Sequence, residues 1–152
     1  MATKKKTKSD KSRISDESRT HCAVGMCNPQ RVQGLKSNIK KGSTHKLVSI
    51  KGPGLFLAGH VSKQGGANDL TFVSLEIDGE SVVNLSFAAA SNLGLTQDNP
   101  YGLVLLKGGP VQNLTFGWPV PLTFKRSMEL SVVVNEAGVA QIIGNVIRGS
   151  SG

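Results

Sequence analysis

A chain of 152 residues with 38% hydrophobic but only 5% aromatic residues can close one core, built from Val, Leu and Ile rather than from rings. Its net charge of +8 is unevenly placed: Met1 to Lys51 hold thirteen Lys and Arg against Asp10, Asp16 and Glu17, and the remainder holds five bases against seven acids. These features argue against a second domain, a membrane span of roughly 18–20 apolar residues, a secretory signal with its apolar stretch, and a disulfide-framed fold, since Cys22 and Cys27 are the only cysteines. Synthesis in the cytoplasm is the expectation.

The first twenty residues, MATKKKTKSDKSRISDESRT, contain Ile14 as their one sizeable aliphatic residue after the initiator and predict disorder. Their Lys4, Lys5, Lys6, Lys8, Lys11, Arg13 and Arg19, continued by Arg31, Lys36, Lys40 and Lys41, form a basic arm and are the candidate partner-binding residues. Such an arm suits a polyanion or an acidic protein surface, or serves only as a solubilising tail. It carries no aromatic residue to stack on bases, and its three acids favour protein contacts over nucleic acid.

Residues 22–42 read as a linker: Pro29 and Gly34 punctuate isolated Val32, Leu35 and Ile39, which predicts an extended segment with at most one short helical turn, lying across another surface. The chain thus divides into an arm and linker, 1–42, and a β-sandwich domain, 43–152.

From Thr44 onward short apolar runs alternate with turn residues. HKLVSI, LFLAGHV and LTFVSLEI are strands, the last with Thr71, Val73, Leu75 and Ile77 on one face. Asp78-Gly79 is a tight hairpin turn and SVVNLSF the returning strand. AAASNLGLTQDNP holds a helical turn and a loop ending at Asn99-Pro100. YGLVLLK, VQNLTFGW and PLTFK follow, broken at GGP and WPVP. MELSVVV puts Met128, Leu130, Val132 and Val134 on one face, NEAG turns the chain, and VAQIIGNVI is the last strand. Eight or nine strands with close turns predict an all-β fold, an antiparallel β-sandwich or jelly roll carrying an extended basic N-terminal arm.

Chemical motifs are few. His21, Cys22 and Cys27 lack the fourth ligand of a structural zinc site and read better as a thiol pair or local disulfide; His45 and His60 stand alone. His60 with Asp69 suggests part of a nucleophilic site, but no G-x-S-x-G elbow accompanies it. Glu76, Asp78 and Glu80 read as a hairpin rather than an acid–base or calcium site. KGPG, KQGGAND and KGGP are turns, not phosphate loops. Trp118 fits a cap on the core or a subunit contact. No catalytic residue, cofactor or metal is expected.

The span from NPYGLVLL through VPLTFKRSMELSVVVNEAGVAQIIGNVIRG resembles small β-sandwich virion proteins of bacterial viruses, in which a strand like SMELSVVV is followed by a short turn and a final paired strand. The likeness extends in strand rhythm over the last two thirds of the chain. It implies a non-enzymatic capsid decoration (cement) or minor capsid protein, located in the virion, whose arm clamps neighbouring subunits or the major capsid protein. It also implies a homo-oligomer, with a trimer the first expectation, and no membrane partner. The alternatives are a shell-forming coat protein whose arm binds packaged nucleic acid, and a carbohydrate- or receptor-binding module.

Overall fold

The computed structural model describes residues 22–23 and 25–151, so Lys4, Lys5, Lys6, Lys8, Lys11, Arg13, Arg19 and the disorder expected around them lie outside the described residues. Among the described residues ten strands and one helix follow in chain order: β1 Cys22–Ala23, β2 Met26–Ser37, β3 Ser43–Lys51, β4 Gly54–Gly65, β5 Thr71–Ile77, β6 Glu80–Ser86, α1 Phe87–Asn92, β7 Leu103–Gly108, β8 Val111–Phe124, β9 Ser127–Val134 and β10 Val139–Ser150. They form a six-stranded sheet, β1-β2-β10-β4-β8-β7, and a four-stranded sheet, β3-β9-β5-β6.

All pairings are antiparallel, and they nest: β2 with β10, β3 with β9, β4 with β8, β5 with β6. The chain is therefore one long hairpin with its tip at the β5–β6 turn, rolled up so that successive pairs fall alternately in the two sheets. That is the jelly-roll arrangement, with β7 added beyond β8. The tip is the expected Asp78-Gly79 pair, with φ of 53° and 82°.

Period-two alternation places the core. Thr71, Val73, Leu75 and Ile77 of β5 and Met128, Leu130, Val132 and Val134 of β9 are all buried, as their alternation predicts. Opposite them stand Phe56 and Val61 of β4, Leu105 of β7, Leu114, Phe116 and Phe124 of β8, and Ile142 and Val146 of β10. Two stacked sheets with interdigitated aliphatic side chains make the core. Helix α1 is the expected helical turn; Ser86 caps it by accepting from the Ala89 amide at 3.0 Å, and Phe87 and Ala90 close one end of the core.

Two expectations are corrected. The stretch predicted as a linker enters the sandwich, because β2 pairs with β10 from Ser37↔Gln141 to Gln30↔Arg148. It escaped notice because it alternates weakly. As an edge strand it buries little beyond Met26 and Cys27, and Gly34 takes a core position where the Leu47 carbonyl leaves no room for a Cβ. The predicted break at WPVP is a bulge inside β8: Gly117 pairs with Ala58 and Leu122 with Phe56, so Trp118–Pro121 stand opposite Leu57 alone. Pro119 and Pro121 cannot donate to a ladder, which is why the bulge falls there.

Candidate functional site

Besides an apolar hollow lined by Val82, Leu85, Leu93, Leu95, Tyr101 and Leu103, two places concentrate polar groups or uncovered apolar surface. The first is the outward face of the six-stranded sheet. Register aligns Leu35, Ile143, Ser62, Asn113 and Leu106 in one row, Gln33, Asn145, His60, Thr115 and Val104 in the next, and Arg31, Ile147, Ala58 and Gly117 in the third. Leu35, Leu106 and Ile147 are 47%, 51% and 39% exposed, so aliphatic side chains stand in water with no element covering them among the described residues. These rows contain no carboxylate and one fixed charge, Arg31.

The outward face of the four-stranded sheet is built differently. Its rows read Lys46, Ser131, Ser74, Asn84, then Ser49, Glu129, Glu76, Ser81, then Thr44, Val133, Phe72, Ser86, with a Lys46–Glu129 pair at 3.2 Å, so charges and hydroxyls outnumber its two apolar side chains. One face is dressed for solvent and the other is not.

In the middle of the uncharged face lies a hollow of about 430 Å³ lined by Arg31, His60, Thr115, Asn145 and Ile147 among others. Asn145 Nδ2 sits 3.1 Å from His60 Nε2, while Asn145 Oδ1 is buried without a hydrogen-bond partner. Burial, and then the charge of Arg31, hold His60 below the usual imidazole range, so the ring is neutral near pH 7.

The second place is a buried ionic cluster at one end of the sandwich. Lys63 continues the inward phase of Val61 on β4, and its side chain is fully buried. Its Nζ lies 2.7 Å from both Asp69 Oδ1 and Glu136 Oε1, and 5.0 Å from the centre of the Phe87 ring. Glu136 is saturated: Oε1 also accepts from Thr71 Oγ1 at 2.6 Å, and Oε2 from the amides of Asn68 and Asp69 at 3.1 and 2.9 Å. Gln112 Nε2 donates to Asp69 Oδ1 at 2.7 Å. Burial pushes the Glu136 carboxyl up, but the bonds from Lys63, Thr71 and the Asn68 amide outweigh it and leave it below the usual carboxylate range. Burial pushes Asp69 up as well, but the bonds from Lys63 and Gln112 outweigh it and leave it below the usual carboxylate range.

Of the arm residues, Arg31 projects from the uncharged face, Lys36 stands exposed near the end of β2, and Lys40 and Lys41 are exposed in the turn after it. Cys22 and Cys27, paired across β1 and β2, form a disulfide, and His21 lies outside the described residues. No group of three or more His, Cys, Asp or Glu is placed to hold a metal among the described residues. His60 and Asp69 are not brought together, since one bonds Asn145 and the other Lys63. Asp78 is more than a turn residue: its carboxylate accepts from the amides of Lys125, Arg126 and Ser127 at 2.8, 2.6 and 3.0 Å, clamping the β8–β9 connection. Trp118 is half-buried, packed edge-on against Phe56 with centroids 6.2 Å apart. Lys63 and Glu136 were hidden from sequence reasoning within SKQGGAND and NEAG, which read as solvent turns. The available signal was Lys63 falling two residues beyond Val61, on the same side of the strand.

Neither protein-family models nor curated protein sequences match this chain.

Proposed function

We propose that the chain is a structural assembly protein that binds through the uncharged face of its six-stranded sheet and the basic arm leading into that sheet. The observation that carries this is the contrast between faces: one has paired charges and serines, the other aliphatic rows with Arg31 and no carboxylate. A protein partner can bury such a face with only one charge, Arg31, to be paired. The arm enters at the same sheet, because β1 and β2 form its margin, and residues 28–37 of β2 carry no further hydrogen-bonded strand among the described residues. An arm that orders on binding covers much surface at modest affinity per area.

Within this class the capsid decoration or minor capsid protein is the specific role proposed, in the virion and as a homo-oligomer. Jelly rolls build viral capsid domains, although also lectins and cupins, so the fold supports the role by analogy only. The test is cosedimentation of the full chain, and of a chain starting at Cys22, with virus particles from its own source and separately with nucleic acid at low and moderate salt. Binding of the full chain to particles, with neither form retained by nucleic acid, supports the clamp. Salt-sensitive retention of the full chain by nucleic acid would instead favour a coat protein with an inward-pointing arm.

The polar groups around the hollow, Arg31, His60, Thr115 and Asn145, favour one rival, a carbohydrate- or receptor-binding module. Trp118 adjoins Gly117 on the rim, so a saturable change in its fluorescence with a glycan panel would replace the assembly role with that one.

A further inference from the structure

The buried Lys63–Asp69–Glu136 cluster plays no part in the proposed assembly face, and its chemistry points elsewhere. A lysine ammonium whose side chain is wholly buried between two carboxylates is costly to desolvate, and an interior pair of opposite charges seldom repays that cost in full. The same three groups can discharge the cost by condensation. An amine shielded from water, within hydrogen-bond distance of a carboxyl and beside a proton carrier, has what amide formation requires.

We propose that Lys63 and Asp69 join in an intramolecular amide, formed by the folded chain itself with Glu136 carrying the proton. The roles follow from the contacts. Glu136 is held by two backbone amides and the Thr71 hydroxyl, so it stays an anchored carboxylate and serves as the proton carrier. Asp69 is the electrophile: its Oδ1 faces Lys63 Nζ at 2.7 Å and takes a second bond from Gln112 Nε2 at 2.7 Å, a donor aimed at the oxygen on which charge builds during attack. Its side chain is 26% exposed while those of Lys63 and Glu136 are fully buried, which gives the released water a way out.

The step balances without an outside reagent. Glu136 takes a proton from the Lys63 ammonium and passes it to the Asp69 carboxylate, giving a neutral amine and a neutral acid. The amine nitrogen bonds the Asp69 carboxyl carbon; Glu136 then moves one nitrogen proton to the departing hydroxyl, the carbon–oxygen bond breaks and one water leaves. Nothing is oxidised or reduced, and Glu136 ends as the carboxylate it began. The product amide N–H replaces the ammonium as donor to Glu136 Oε1. Gly66 fits this site, since a Cβ there would collide with both the Glu136 carboxylate and the Lys63 amine. The link would tie β4 of one sheet to Asp69, two residues before β5 of the other.

Intact mass spectrometry of the purified full chain, reduced to open the Cys22–Cys27 disulfide, tests this directly. The expected mass is that of the sequence less one water. Trypsin should fail to cut after Lys63 and yield one loop-linked peptide, Gly52–Lys107, lighter by that water. Fragmentation must place the loss between Lys63 and Asp69, because dehydration at Asp78-Gly79 would fall in the same peptide and would count against the link. Under denaturant, reductive methylation should modify every other lysine and spare Lys63. K63R and E136Q should both return the full mass. A wild-type chain at full mass, normal cleavage after Lys63, or a link joining Lys63 to Glu136 in Ser127–Arg148 would each overturn the proposal; the wild-type result decides even if a variant does not fold.

Discussion

A lysine enclosed by Asp69 and Glu136 is where single side chains matter most in this molecule. Removing Glu136 takes one of two carboxylate partners from the buried Lys63 and leaves the Thr71 hydroxyl and two backbone amides without their acceptor. Glu136→Ala is therefore expected to destabilise the fold by about 3–5 kcal/mol, read from denaturant unfolding. A change near zero would mean the cluster relaxes into solvent.

Asp78 gives a pH signature of its own. Bonds from the Lys125, Arg126 and Ser127 amides hold its carboxyl below the usual carboxylate range. Because the folded value lies below the unfolded one, the clamp's stabilisation is complete above about pH 4 and is lost as pH falls through the folded value. Asp78→Asn should flatten the acid limb of the stability profile in that window and leave the profile near neutrality parallel to wild type; an unchanged acid limb would show that the clamp contributes nothing.

At the scale of elements, what was legible in the sequence is what alternates. LTFVSLEI and MELSVVV displayed their buried faces because each strand of the four-stranded sheet buries one side and wets the other. The Asp78-Gly79 turn and the helical turn after Ser86 were legible through local chemistry. β2 was not, because its pairing is a long-range backbone property and its inward positions include Gly34 and Lys36. Lys63 and Glu136 were misread for a related reason: charged residues next to glycines look like surface until the fold supplies partners 73 positions away.

Two consequences follow for β2. A chain starting at Cys22 should melt as the full chain does, whereas one starting at Gly42 loses the strand along β10 and should unfold at markedly lower temperature or aggregate. Equal melting of both would place β2 outside the cooperative unit. Gly34→Ala drives a methyl into the Leu47 carbonyl, and a loss of about 1–3 kcal/mol is expected in chemical unfolding.

For the whole molecule, the rolled hairpin leaves two outward faces of unlike character, and the account assigns binding to the uncharged one. Charges placed on Ile147 or Leu106, both already exposed, should change folding stability by no more than about 0.5 kcal/mol and yet remove binding. Matching changes at Ser131 or Ser74 on the other face should do neither. His60 gives the face a pH dependence: its proton affinity is lowered in the fold, and a partner that dehydrates it further favours the neutral ring, so binding should weaken as pH falls through the ring's lowered folded value.

The most direct measurement is cosedimentation of the full chain and of its Ile147→Glu variant with virus particles from the chain's own source, at matched concentration and moderate salt. The full chain should sediment with the particles, and the variant, folded by circular dichroism, should stay in the supernatant. Equal sedimentation of both, or of neither, would contradict the assignment of binding to this face.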